Sequence, residues 1–171
     1  MSTQVVIETE AGTIHVALAD ERAPGTVANF LRYVDDGLYD GGRFHRVVRL
    51  DNQPQDTIRI EVIQGGVNLE RMTENGAPIL LERTNVTGLR HLDGTISMAR
   101  FRPDTAVSDF FICIGDQPEL DFGGMRNPDG QGFAAFGQVT DGMDVVRTIQ
   151  SGVTDGQTLI FPARIISIRR A

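Results

Sequence analysis

Short β-branched runs, each ended within a few residues by a turn signal, restrict this chain more than any other feature. Val5-Val6-Ile7-Glu8-Thr9 and Gly12-Thr13-Ile14-His15-Val16-Ala17-Leu18 partly alternate between apolar and polar positions, and Glu10-Ala11-Gly12 joins them as a hairpin turn. Further runs follow at Phe44 to Val48, Ile58 to Gln64, Thr95 to Ala99, Phe110 to Ile114 and Ile165 to Ile168. The run from Ile58 is expected to be a strand with Ile58, Ile60 and Val62 on one face. Arg49 to Thr57 is polar and contains Pro54, so it is expected to be a loop or hairpin tip, while Asp93-Gly94 and Asp141-Gly142 mark turns. Only two stretches carry helical spacing. Val27, Phe30, Leu31 and Val34 form one stripe behind Pro24, with Gly37 as its stop; Met143, Val146 and Ile149 share a face before Gly152. Nineteen glycines and seven prolines fit a β-rich fold better than a helix bundle. Many short strands with two isolated helices favour a closed antiparallel barrel, because closure removes exposed edges. Periodicity alone does not choose between barrel and sandwich.

A length of 171 residues suits one domain with a sizeable core, so residues 1–171 are expected to form a single unit. Hydrophobic content of 40% and charged content of 23% are ordinary for a soluble globular protein. No run approaches the roughly 18 apolar residues that span a bilayer. No basic stretch followed by an apolar one opens the chain, so a cytoplasmic location is expected and no membrane association. The formal net charge of −7 opposes non-specific binding to nucleic acid. The one cysteine, Cys113, lies within an apolar run and reads as a buried small hydrophobe rather than a nucleophile. His15 and His91 have no visible partner ligands, so neither a metal site nor a cofactor is expected.

Several short motifs occur in a fixed order: Phe44-His45-Arg46, Gln64-Gly65-Gly66, Gly94-Thr95-Ile96-Ser97-Met98-Ala99-Arg100, Phe110-Phe111-Ile112-Cys113, Phe136-Gly137-Gln138-Val139 and Asp141-Gly142-Met143. Together they resemble the cyclophilin family of peptidyl-prolyl cis-trans isomerases, most closely its compact bacterial members. The resemblance implies a mainly β fold: a closed eight-stranded antiparallel barrel capped by two α-helices. It also implies a monomer that accelerates rotation of X–Pro bonds in proline-containing peptides and unfolded or flexible segments, and so assists protein folding.

That reaction faces a barrier of roughly 18–20 kcal/mol from amide resonance. Lowering it requires no cofactor or covalent intermediate. It requires a surface that grips the proline ring, holds the flanking backbone, and donates a hydrogen bond to the prolyl nitrogen as it pyramidalises. Such a bond is made mainly in the twisted state and so favours it selectively. By resemblance Arg46 is the catalytic donor. Phe111 and Leu120 match the apolar pocket, Val62 stands where a Met is usual, and Phe133 where a His or Tyr is usual. Gln64 matches the residue that holds the substrate backbone, and Ala99, Arg100 and Phe101 fall on the neighbouring wall. Phe44 and His45 read as packing residues.

The chain departs from the family in three places. It is longer between Val48 and Val62, where the extra residues centre on Leu50 to Ile60 and predict an extended hairpin near the groove. Glu61 replaces a pocket-lining Phe. Asp109 stands where a Gln normally touches substrate; an ionised Asp only accepts hydrogen bonds, and it is expected to pair with Arg46. These departures leave an alternative reading, a low-activity or inactive module of the same fold that binds proline-containing segments as a chaperone or assembly factor.

Overall fold

The computed structural model describes residues 2–72, 74 and 76–171. Its strands are β1 (Gln4–Thr9), β2 (Gly12–Leu18), β3 (Arg43–Val48), β4 (Val62–Gly66), β5 (Thr95–Met98), β6 (Phe110–Cys113), β7 (Ala135–Asp141), β8 (Thr154–Asp155) and β9 (Thr158–Arg170). The order β1-β2-β7-β5-β6-β4-β3-β9 returns to β1 through antiparallel pairing of β1 with β9, which closes an eight-stranded barrel. The two-residue β8 is an appendage on β9.

The alternation of β6 separates two apolar sets. Phe110 and Ile112 face the barrel interior, while Phe111 and Cys113 face outward. On β4, Ile63 faces in and Val62 out; on β3, Val47 faces in and Val48 out. The interior holds an aromatic cluster in which Phe30 lies 5.3 Å from Tyr39, 5.2 Å from Phe136 and 5.7 Å, edge-on, from Phe110. The outward set of Val48, Ile60, Val62, Phe111, Cys113 and Leu120 is a second cluster, and it becomes the floor of the site.

The helices α1 (Pro24–Asp35) and α3 (Met143–Gln150) cap opposite ends of the barrel. The start of β2 lies under α3: Gly12, at φ 134°, has Val145 so close that a Cβ would fall 2.7 Å from its methyl. The other end of β2 leads to α1. Val27, Phe30, Leu31 and Val34 are all buried, as their spacing predicts. α1 ends in a Schellman arrangement, with the Gly37 amide donating to Val34 and that of Leu38 to Tyr33. Its first turn is capped from afar, since Glu82 accepts from the Thr26 amide at 2.6 Å. A four-residue α2 (Thr84–Thr87) lies between β4 and β5.

Three elements differ from the sequence expectation. The strand anticipated from Ile58 begins only at Val62. Ile60 finds no partner strand; the Gln53 side chain takes both its N–H (3.2 Å) and its C=O (2.6 Å). The apolar Ile60 therefore reflects burial against the outer cluster, not strand pairing. In consequence the long 49–61 segment is not an extended hairpin. It folds back and is pinned at both ends, by Arg49 to the carbonyls of Gln150 and Gly152 behind α3, and by Arg126 to Gln53 and Ile58. The last strand runs Thr158–Arg170, far beyond Ile165–Ile168, because it pairs first with β8 and β3 and then with β1. β7 contains Gly137, where a Cβ would sit 2.8 Å from the Ala17 carbonyl oxygen, so the glycine permits the close approach of β7 to β2.

Candidate active site

The outer faces of β3, β4 and β6 share one register, Arg46↔Gln64↔Phe111. This row crosses the floor of a cavity of about 630 Å³. Val62 and Leu120 complete the floor beside Phe111, and Ile60, brought in by the folded-back 49–61 segment, forms a wall. Ala99, Arg100, Phe101, Asp109 and Phe133 also line the cavity, so every site residue expected from the sequence faces the same space.

The aromatic floor is braced from behind. Phe111 meets Phe133 edge-on at 5.7 Å and stacks on His91 at 6.0 Å. His91 is buried; its Nδ1 lies 2.7 Å from Asp121 Oδ1 and its Nε2 2.8 Å from Ser97 Oγ. An Nδ1–H donor to the carboxylate leaves Nε2 to accept from the serine, so the imidazole is held as one tautomer flat against Phe111. Arg100 contributes only its stem to the cavity. Its side chain is 1% exposed, and the guanidinium bonds Asp129 at 2.9 and 3.1 Å and the Gly132 carbonyl and lies 4.7 Å over the Phe133 ring. The Arg100 hydrogen bonds hold the Asp129 carboxyl below the ordinary range. Arg100 therefore fixes the 129–133 wall, and Phe101, 90% exposed, stands at the rim.

Arg46 is the polar centre. Gln157 Oε1 accepts from its Nε at 3.0 Å and its Nη2 at 2.7 Å, and Gln64 Oε1 accepts from its Nη1 at 2.9 Å. A guanidinium has five N–H donors, so those on Nη1 and Nη2 not taken by the two glutamines remain for the cavity. Burial, then the Arg126 charge, lowers its pKa from the ordinary arginine value, with Asp56 opposing; the group stays cationic. Gln157 was not legible as a site residue. It sits in the two-residue turn between β8 and β9, where Gly156 takes φ 61°, and the only local signal is the Asp155-Gly156 dipeptide.

Asp109 does not pair with Arg46. Its Oδ2 accepts from Gln64 Nε2 at 2.9 Å and lies 3.1 Å from His45 Nε2. The Gln64 amide is thereby oriented, with oxygen to Arg46 and nitrogen to Asp109, and the carboxylate acts on the arginine only through it. His45 is not a packing residue either; it is partly exposed and belongs to this polar chain. Glu61 is turned out of the cavity, with its carboxylate accepting from Gln150 Nε2 at 3.2 Å. Cys113 is buried in the floor, and burial raises its thiol pKa well above the ordinary value. No cluster of metal-ligating side chains occurs among the described residues.

A family model described as cyclophilin type peptidyl-prolyl cis-trans isomerase matches residues 4–170. The chain is 39% identical over 175 residues to peptidyl-prolyl cis-trans isomerase A of Dickeya dadantii, an alignment covering 99% of this chain and 84% of that protein. It is 42% identical over 161 residues to the isomerase cyp18 of Streptomyces antibioticus, covering 92% of this chain and 88% of that protein. In three dimensions it resembles a cyclophilin-type isomerase of Cryptosporidium parvum, with a TM-score of 0.80 at 23% identity over 100% of this chain and 98% of the other. The same Cryptosporidium protein crystallised in the presence of the dipeptide Ala-Pro aligns with a TM-score of 0.78 at 23% identity, over 98% of each chain. The shared barrel and the agreement across nearly the whole sequence have one meaning: the chain belongs to the cyclophilin family of peptidyl-prolyl cis-trans isomerases.

Proposed function

We propose that the cavity binds proline-containing segments and accelerates their cis–trans isomerisation, with Arg46 as the catalytic donor. The observation that carries this reading is the placement of a tethered guanidinium, with N–H donors to spare, directly beside an apolar floor of Phe111, Val62 and Leu120. The floor takes the proline ring and excludes water around it. Phe133 and Ile60 close the ring's flanks, and Gln64, Ala99 and the rim at Phe101 border the neighbouring backbone. In the planar ground state the prolyl nitrogen lone pair is delocalised into the carbonyl and accepts poorly. As the bond twists, the lone pair localises and an Arg46 N–H bonds to it, so the interaction strengthens towards the transition state. The guanidinium is already fixed by two glutamines and needs little reorganisation at that moment.

Two features that would favour a non-catalytic binding module lose their weight. Glu61 leaves the apolar floor intact, and Asp109 does not draw the guanidinium off its position. One closed sheet takes in strands from β1 near the start of the chain to β9 near its end, which supports the reading of residues 1–171 as a single domain. A free thiol at Cys113 suits a reducing compartment such as the cytoplasm. The test is exchange NMR of a short Xaa-Pro peptide with the native chain and with Arg46→Ala. Acceleration by the native chain that is lost in the variant, with peptide binding retained, is the expected result. Binding by a folded native chain without acceleration would replace this reading with the binding module.

A further inference from the structure

A second row of side chains runs beside the catalytic row on the same outer face. Arg164 pairs with Arg43 across β9 and β3, and Arg43 pairs with Gly66 across β3 and β4. On the next strand the Asp109 carboxylate lies against Gly66, in the space a side chain there would fill. A bulge between Phe44 and Arg46 inserts one residue into β3, which is why Arg43 and Arg46, three apart, both serve outward rows. Gly66 follows Gln64 by two positions on β4, so the rows lie about 7 Å apart. The second row borders a separate cavity of about 670 Å³, and Asp109 lines both cavities and so joins them. Gly66, with no side chain, leaves its place to the Asp109 carboxylate, and beside it Arg43 and Arg164 form a lane that opens on the second cavity.

The charges along this lane are unbalanced locally. Like charges directly opposite on neighbouring strands are unfavourable, yet Arg43 and Arg164 face each other, and neither side chain has a hydrogen bond or ion pair among the described residues. The arginines Arg46, Arg49, Arg100, Arg126, Arg169 and Arg170 are by contrast all engaged. The chain has carboxylates in excess, at a net charge of −7, yet among the described residues none pairs with either of these two cations that line one cavity. Of the lane's own carboxylates, Asp109 is committed to Gln64 and His45, and Glu70 lines the same cavity without bonding either arginine.

We infer that the lane is a subsite for an acidic side chain of the bound segment, with Arg43 and Arg164 as specificity-determining residues. This rests on reading the first cavity as the proline groove. An extended peptide advances about 3.3 Å per residue, so with its proline on the Arg46 row it brings the residue two or three positions away over the Arg43 row. Two guanidinium groups carried by cross-strand partners that line one cavity can both bond a carboxylate. Their exposure makes the preference modest and sensitive to salt.

The experiment compares peptides that differ only by Glu or Gln two or three residues to either side of the proline. Isomerisation is followed by exchange NMR for the native chain and for Arg43→Gln/Arg164→Gln. On one side of the proline, the Glu peptide should be turned over with about three- to tenfold higher kcat/KM at low ionic strength. The advantage should vanish in the double variant and shrink at about 0.3 M salt, while the Gln peptide is handled equally by both chains. Equal efficiency for Glu and Gln peptides, or an advantage that survives the double substitution, overturns the subsite. If the native chain isomerises neither peptide, the groove reading fails on its own. The Arg43 and Arg164 side-chain NMR signals then decide the subsite: movement with the Glu peptide but not the Gln peptide supports it, and no movement overturns it.

Discussion

Replacing Gln157 with Ala should impair catalysis while leaving binding nearly intact. Gln157 Oε1 accepts from Nε and Nη2 of Arg46 at 3.0 and 2.7 Å, and Gln64 supplies the other tether among the described residues, at 2.9 Å. An untethered arginine side chain has about 2 kcal/mol of rotamer entropy to lose on being fixed. With Gln64 still in place, roughly half of that returns to the activation barrier, and competition from water for the freed donors raises the total to about 1–2 kcal/mol. The expected loss in kcat/KM is therefore about five- to thirtyfold. The apolar floor is untouched, so KM should change by no more than about twofold. Gln157→Glu keeps an acceptor oxygen for Arg46 Nε and Nη2 and should recover most of the loss. The assay is exchange NMR on an Xaa-Pro peptide, with thermal unfolding to verify the fold. A Gln157→Ala chain that stays within about twofold of native kcat/KM, while Arg46→Ala is inactive, would refute the view that Arg46 must be held from both sides.

Further outcomes concern stability and reactivity. Gln53→Ala strands the N–H and C=O of Ile60; urea unfolding should show a loss of about 2–4 kcal/mol, and a loss below about 1 kcal/mol would contradict its role as the staple of the 49–61 segment. The Asp129 carboxyl is held low by Arg100, so its stabilising contribution is complete above the ordinary value of 3.8 and is lost as pH falls through the depressed folded value. Asp129→Asn should thus flatten the acid limb of the stability profile below about pH 4, and an unchanged slope would argue against the linkage. Cys113 is fully buried with its thiol pKa raised. It should resist thiol reagents in the native protein and react promptly in denaturant; fast labelling of folded protein would show that the floor opens.

The local readings that held are those in which a side-chain pattern and the required burial coincide. The α1 stripe, the hairpin of β1 and β2, and the alternating β6 each present one face that only the barrel interior satisfies. Phe111 was legible within Phe110-Phe111-Ile112-Cys113 and Arg46 through Phe44-His45-Arg46, while Val62 and Leu120 were placed only by their positions in the resemblance. Ile58 to Glu61 shows the limit: its alternation looked like a strand, but a strand needs a partner, and the Gln53 side chain took that place. Gly137 interrupts β7 and Pro162 interrupts β9, so their strand-forming residues do not mark continuous strands, and both owe their full extension to the strands beside them.

Sequence alone determined the inventory: a β-rich chain with two capping helices, an arginine and apolar residues of the right kind, and a family in which they serve proline isomerisation. Tertiary structure decided who holds whom. Gln157 reaches Arg46 from more than a hundred positions away, Asp109 turns to Gln64 instead of the arginine, and Ile60 replaces Glu61 at the wall. Hydrophobic periodicity is written locally because each element must bury one face. A hydrogen-bond partner is chosen only when closure of the barrel brings distant donors and acceptors within about 3 Å, and that choice has no local signature.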